Sequence, residues 1–291
     1  MSISKYINKH INNINGKKVI VTGANSGIGF EICKHLAYLN ASIIMACRSF
    51  LRASKARNKI LKNYPNADIK IIPFDQSNKE SCDSFINLIK KGLDFDVIIF
   101  NAGIFAPKEK KLNKDNYPIT LATNIINLSY IVDKLEPLIN KDVTFVFQGS
   151  LASSLVKKKL SLLDNKPSSF KQYALSKYAL LQYFKYKSIT NPNNNIRYTL
   201  CEPGITNSNI IRDFPKFIRK IGNGFLKICM MSTSKASLTS LASFASKNSN
   251  NGMMFVPRGL FKIWGYPKAK KINNKYDKNI ISELNKINHG K

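Results

Sequence analysis

Short, continuously apolar runs alternate along this chain with stretches of helical periodicity, and that alternation restricts the fold more than any other feature. Residues 18–21, 42–46, 69–72, 96–100, 143–147 and 197–201 each read as a strand buried on both faces, and 253–256 is expected to add a seventh. Helices are predicted between them over 28–39, 51–63, 78–90, 116–138 and 172–188. In the first of these, Ile28, Ile32, Leu36 and Leu39 share one face. Strands that lack polar alternation need cover on both sides, and right-handed crossovers supply it. The expected fold class is therefore α/β: a doubly wound parallel sheet of Rossmann type, about seven strands, in a single domain over residues 16–291. Residues 1–15 read as a short, frayed N-terminal extension, polar and without the apolar stretch of a secretory leader. No run approaches the ~18 consecutive apolar residues that a membrane-spanning helix needs.

Sheets of this kind hold ligands beyond the carboxyl ends of their strands. Directly after the first strand comes Thr22-Gly23-Ala24-Asn25-Ser26-Gly27-Ile28-Gly29. Here the chain has to turn sharply, bring bare backbone against a pyrophosphate and pack the next helix close to the sheet. Glycine meets all three demands because it has no Cβ. The N-terminus of the helix then directs free N–H groups and the positive end of its dipole at the phosphates. Gly23, Asn25, Ser26, Gly27, Ile28 and Gly29 are thus candidate cofactor-binding residues. The second strand ends at Arg48, where an acidic residue would select NAD through the ribose 2′-hydroxyl; an arginine selects the 2′-phosphate of NADP. Ser49 and Arg52 stand nearby as helpers.

Tyr173 and Lys177 lie four residues apart on a predicted helix, and so on one face. An ammonium beside a phenol favours the phenolate, so the pair points to proton transfer near neutral pH. Tyr-x-x-x-Lys alone recurs by chance. In this chain, however, the glycine turn, "NAG" at 101–103, "QGS" ending at Ser150, "YALSK" at 173–177 and "PG" at 203–204 follow one another in a characteristic order and spacing. Over residues 17–267 the chain resembles the short-chain dehydrogenase/reductase family. It looks most similar to the retinol-dehydrogenase-like, NADP-dependent branch, on the strength of "ACRS", a Lys-rich widening between Ser150 and Tyr173, and "FVPRGLFKIWGYP".

The resemblance implies roles. Tyr173 would be the proton donor or acceptor, and Lys177 would bind the nicotinamide ribose and depress the tyrosine pKa. Ser150 would hydrogen-bond the substrate oxygen, and Asn124 would hold a relay water. Asp75 would contact the adenine, with Asn101 and Gly103 along the adenosine side. Pro203, Gly204 and Ile205 would border the nicotinamide, and Ser208 would hold its carboxamide. Residues 206–232 read as a substrate lid. Its apolar face (Phe214, Phe217, Ile218, Ile221, Phe225) opposes lysines and an arginine, which also suits packing onto the core or weak contact with an anionic membrane surface. The implied activity is interconversion of an apolar carbonyl compound and its alcohol with NADP(H). The alternative is a non-catalytic NADP-sensing protein on the same fold. Three features depart from the family pattern: no glycine follows Asn124, Ser153 and Ser154 stand near Ser150 although the position just after the strand favours Ser150, and Glu202 places a carboxylate beside the nicotinamide end.

Composition narrows the partners. The formal charge is +29, from 46 basic and 17 acidic side chains. The lysines are spread out, with short clusters at 157–159 and 268–271, so they read as a solvated surface and not as a specific nucleic-acid site. Five cysteines without CxxC spacing suit a reducing, cytoplasmic setting, and three scattered histidines give no expectation of a metal. A homodimer is among the assemblies the family resemblance allows.

Overall fold

The computed structural model describes residues 1–107, 109, 111–156, 161–163, 168–206 and 231–290. Among them, eight strands form one sheet in the order β3-β2-β1-β4-β5-β6-β7-β8. The strands are β1 (Lys18–Thr22), β2 (Ser42–Cys47), β3 (Ile69–Pro73), β4 (Val97–Phe100), β5 (Val143–Gln148), β6 (Ile196–Cys201), β7 (Met253–Pro257) and β8 (Pro267–Lys271). The first seven pair in parallel. Helices α1 (Ile3–His10), α2 (Gly27–Tyr38), α3 (Phe50–Leu61) and α4 (Lys79–Lys90) come from the first half. Then follow α5 (Ile119–Leu121), α6 (Asn127–Leu135), α7 (Ser169–Thr190), α8 (Thr233–Ala236), α9 (Leu238–Ala245) and α10 (Lys278–His289).

Alternate side chains of one strand enter two separate cores. Ile20 joins Phe100, Phe145, Phe147, Tyr183 and Tyr198 under α6, α7 and α10. Val19 and Val21 join Ile32, Leu36, Met45, Leu241 and Phe255 under α2 and α9. This double burial is why the strands read as unbroken apolar runs. The strand order reverses between β1 and β4, and the loops leaving their carboxyl ends diverge there to open a crevice.

Three elements differ from the sequence expectation. The N-terminal stretch expected to fray instead forms α1. Its Tyr6 and Ile7 are buried, Tyr6 stacks on Tyr266 at 4.9 Å between centroids, and the Asn12 N–H donates to the Ala245 carbonyl. The predicted helix over 116–138 starts later, at Ile119. Asn116 takes a left-handed φ of 62°, in a turn organised by the Asn113 side chain, which accepts from the N–H groups of Asp115 and Tyr117. That helix also contains a π-turn, Ala122–Ile126. Finally, β8 adds an antiparallel edge strand, "PKAKK", whose lysines discourage pairing with a further strand.

Candidate active site

The glycine turn is built by close approach. At Gly23, with φ +65°, a Cβ would lie 3.0 Å from the Ala102 Cα. At Gly29 it would lie 2.5 Å from both the Asn101 Nδ2 and the Gly23 carbonyl oxygen. Only a residue without a side chain lets α2 sit this near the end of β4. Asn101 links the two strand ends: its Nδ2 donates to the carbonyls of Thr22 (2.8 Å) and Gly23 (3.3 Å), and the Ala102 N–H donates to the Thr22 hydroxyl. Asn101 therefore has a structural task inside the crevice. Gly27 begins α2 with φ +56° and open space where a Cβ would be.

Two adjoining cavities run along the strand ends. One, about 400 Å³, is lined by Gly23, Asn25, Ser26, Gly27, Arg48, Asp75, Asn101 and Gly103, with Ser49 and Arg52 beside them. The exposed Arg48 guanidinium lies 3.8 Å from the Asp75 carboxylate, which also accepts from the N–H and hydroxyl of Ser77. That ion pair is solvent-screened and worth little energetically; its effect is to hold the guanidinium over the crevice. The other cavity, about 650 Å³, is lined by Ser150, Tyr173, Lys177, Pro203, Gly204 and Ile205. Ile28, Asn101, Gly103, Ile104 and Gln148 belong to both. Gly29 lines neither cavity.

Ser150 follows β5 and caps the short 3-10 turn Leu151–Leu155, its hydroxyl accepting from the Ala152 N–H at 3.3 Å. The same side chain acts on the Tyr173 phenol, favouring its ionised form. Tyr173 is half-buried on α7, edge-on to Phe105 at 4.6 Å between ring centroids. One turn later, the Lys177 Nζ lies 5.9 Å from the Tyr173 ring centroid and donates to the Gln148 carbonyl at 2.7 Å. Burial pulls the Lys177 ammonium down to about 8. The expected depression of the tyrosine by Lys177 is not found. Burial raises the Tyr173 phenol above its ordinary value, the Ser150 side chain opposes that rise, and the Glu202 carboxylate adds to it.

Asn124 is held by its own side-chain hydrogen bonds. It sits in the π-turn and lines neither cavity. Its Oδ1 accepts from the Ile104 N–H (2.8 Å), and its Nδ2 donates to the Ile104 carbonyl (3.0 Å) and the Ser176 hydroxyl (2.9 Å). Ser176 in turn donates to the Tyr173 carbonyl. With these bonds made, the amide clamps the loop after β4 to α7. The turn at Pro203-Gly204 is locked in a similar way: Gly204 has φ +73°, and a Cβ there would lie 2.4 Å from the Ile263 carbonyl oxygen, which accepts from the Ile205 N–H. Ser208 and the lid residues 207–230 lie outside the described residues, as do Lys157, Lys158 and Lys159. The described residues on either side of this segment meet where the Met231 N–H donates to the Ile205 carbonyl.

Several contributors were not singled out from the sequence. Gln148 supplies the carbonyl that seats Lys177, and Ser176 couples Asn124 to the Tyr173 turn. Phe105, Phe170, Phe261 and Ile263 wall the larger cavity. These depend on contacts between distant segments, and no local motif marks them.

Comparison with known proteins decides the family. A family model described as short chain dehydrogenase matches residues 17–217. The chain belongs to the short-chain dehydrogenase/reductase family. Short-chain dehydrogenase/reductase phmF of Phaeosphaeria nodorum is 30% identical over 230 residues, covering 70% of this chain and 66% of that protein. The human WW domain-containing oxidoreductase is 37% identical over 125 residues, 43% of this chain. That match spans 30% of the human protein, so the chain corresponds to under a third of it. Among solved structures, an uncharacterized protein from Mycobacterium Paratuberculosis superposes with a TM-score of 0.74 at 21% identity, covering 96% of this chain and 94% of that one. That likeness speaks to the fold alone.

The chain is thus a member of a family of oxidoreductases that use nicotinamide dinucleotides. The cradle fits such a group: backbone at Gly23 and Gly29 that a Cβ would fill, an open helix N-terminus at Gly27, and a lysine beside Tyr173 in the adjoining cavity.

Proposed function

We propose that this protein is an NADP(H)-dependent oxidoreductase that interconverts a carbonyl compound and its alcohol, with Tyr173 as general acid/base. One observation carries the reading: Ser150, Tyr173 and Lys177 line a cavity that continues into the crevice bearing the glycine turn and Arg48. Gly23 to Gly29 would hold the pyrophosphate, Arg48 the 2′-phosphate, and Pro203 to Ile205 the nicotinamide end. A bound nicotinamide supplies or accepts the hydride. The Ser150 hydroxyl orients the substrate oxygen toward Tyr173, and the phenol gives its proton to that oxygen in reduction or takes it in oxidation. Lys177, held by the Gln148 carbonyl, would bind the nicotinamide ribose beside the phenol. Ile104, Phe105, Leu151, Leu155, Phe170 and Phe261 favour an apolar substrate.

A protein that only senses NADP has no need of Ser150, Tyr173 and Lys177 together, which disfavours the binding-only alternative. A cytoplasmic setting accords with the free thiols of Cys33, Cys47, Cys82 and Cys201. No helix among the described residues is long and apolar enough to cross a membrane. Titration with NADPH and NADH, followed by nicotinamide oxidation over a panel of apolar ketones and aldehydes, tests the reading. Tighter NADPH binding with turnover is the expected result; binding without turnover of any member in either direction contradicts it.

A further inference from the structure

Glu202 is the residue of the site that the family reading leaves unused. It follows β6 directly, fixed by its N–H donating to the Phe255 carbonyl, and the residue is 3% exposed. It packs behind the turn that carries Ser150: a Cβ added to Gly149 would lie 3.4 Å from the Glu202 Cγ. Its Oε2 finds no hydrogen-bond donor among the described residues. The nearest cation, the Lys262 Nζ, is 4.0 Å from that oxygen, beyond hydrogen-bond reach. Glu202 lines a separate cavity of about 480 Å³, and Leu151, Ser154 and Lys262 belong both to it and to the substrate cavity. The 3-10 turn is thus a thin wall, with Tyr173 on one side and a buried carboxylate on the other.

Resting on the function proposed above, we infer that Glu202 is a positioning residue for proton transfer: its buried charge, acting through the wall, keeps Tyr173 in the protonated form, the form that donates in carbonyl reduction, up to higher pH. The charged and titratable groups around it are Lys262 from the β7–β8 loop, Lys270 from β8, Tyr173 from α7 and Cys201 from its own strand. Lys185 and Lys271 line the same cavity. Burial is the largest influence on Glu202 and raises its carboxyl, against the opposing pull of Lys262 and Lys270. A carboxylate in this low-dielectric position disfavours a second negative charge on the neighbouring phenol, and Glu202 acts on Tyr173 in that direction.

The test compares wild type, Glu202→Gln and Glu202→Asp by the pH dependence of kcat/KM for NADPH-driven reduction, with thermal unfolding at each pH. In Glu202→Gln the alkaline limb, where Tyr173 loses its proton, should move to lower pH, and Glu202→Asp should restore it toward wild type. Because folding raises the Glu202 carboxyl, its contribution to stability is full below the unfolded value and falls as pH rises through the folded one. The Gln variant should therefore be more thermostable than wild type at neutral pH, with the difference closing in acid. Glu202→Ala is read in the same way if Gln is not tolerated. An unmoved limb, a limb displaced upward, or failure of both neutral variants to fold overturns the inference. Loss of the proposed function is distinguishable, because Tyr173→Phe would then keep full activity whatever Glu202 does.

Discussion

At the scale of single residues, the site works by making charge costly and then placing it deliberately. Lys177 is 7% exposed, and its ammonium is pulled from 10.5 to about 8. The sign of the linkage follows: between about pH 8 and 10.5 the unfolded chain holds this proton and the folded one does not, so stability rises with pH across that window. Lys177→Met should accordingly raise the unfolding temperature at pH 7, by at most the equivalent of about 3 kcal/mol, an advantage lost above pH 10.5. The same variant should lose most turnover; thermal unfolding and steady-state kinetics check both halves. Arg48→Ala should weaken NADPH binding about 10- to 100-fold, the loss of a charge-assisted hydrogen bond of ~1.5–3 kcal/mol, while leaving NADH nearly unchanged. Equal weakening for both cofactors in a binding titration would remove Arg48 from the 2′-phosphate site.

At the scale of elements, what was legible in the sequence and what was not divide along physical lines. Strands β1, β2 and β4 to β7 were readable because both faces are buried, which leaves an apolar run with no other explanation; β3, at the sheet edge with Lys70 exposed, was readable from its isoleucines. The glycine turn and the Tyr173–Lys177 turn were readable because their spacing is local. Helix α1 was not: "ISKYINKH" buries Tyr6 and Ile7 against Tyr266 and its neighbours, contacts made more than two hundred residues away. Nor was β8, whose lysines look like a solvated tail until β7 pairs with it. The π-turn at Asn124 and the position of Glu202 likewise depend on tertiary contacts.

Two outcomes belong to this scale. Deleting residues 1–11 should destabilise the protein by several kcal/mol, since burying side chains such as Tyr6 and Ile7 is worth ~1.5–3 kcal/mol each; urea unfolding would measure it. Gly29→Ala should cost about 1–3 kcal/mol and weaken nucleotide binding, because its Cβ meets the Gly23 carbonyl and the Asn101 amide.

At the scale of the whole molecule, the net charge of +29 and the crevice at the strand ends are separate features. Diffuse positive charge attracts polyanions without a dedicated site, so binding to heparin or DNA should fall steeply between roughly 50 and 200 mM salt and should not respond to loss of Tyr173. The crevice lies where the sheet's strand order reverses, and both cavities draw their walls from the loops that diverge there. The most direct measurement is kcat for NADPH-dependent carbonyl reduction by wild type and Tyr173→Phe, each shown to be folded and to bind NADPH. Removing one hydroxyl should lower kcat by about 10²–10⁴-fold with binding unchanged. Wild-type turnover by Tyr173→Phe would contradict the assignment of that phenol as the proton donor.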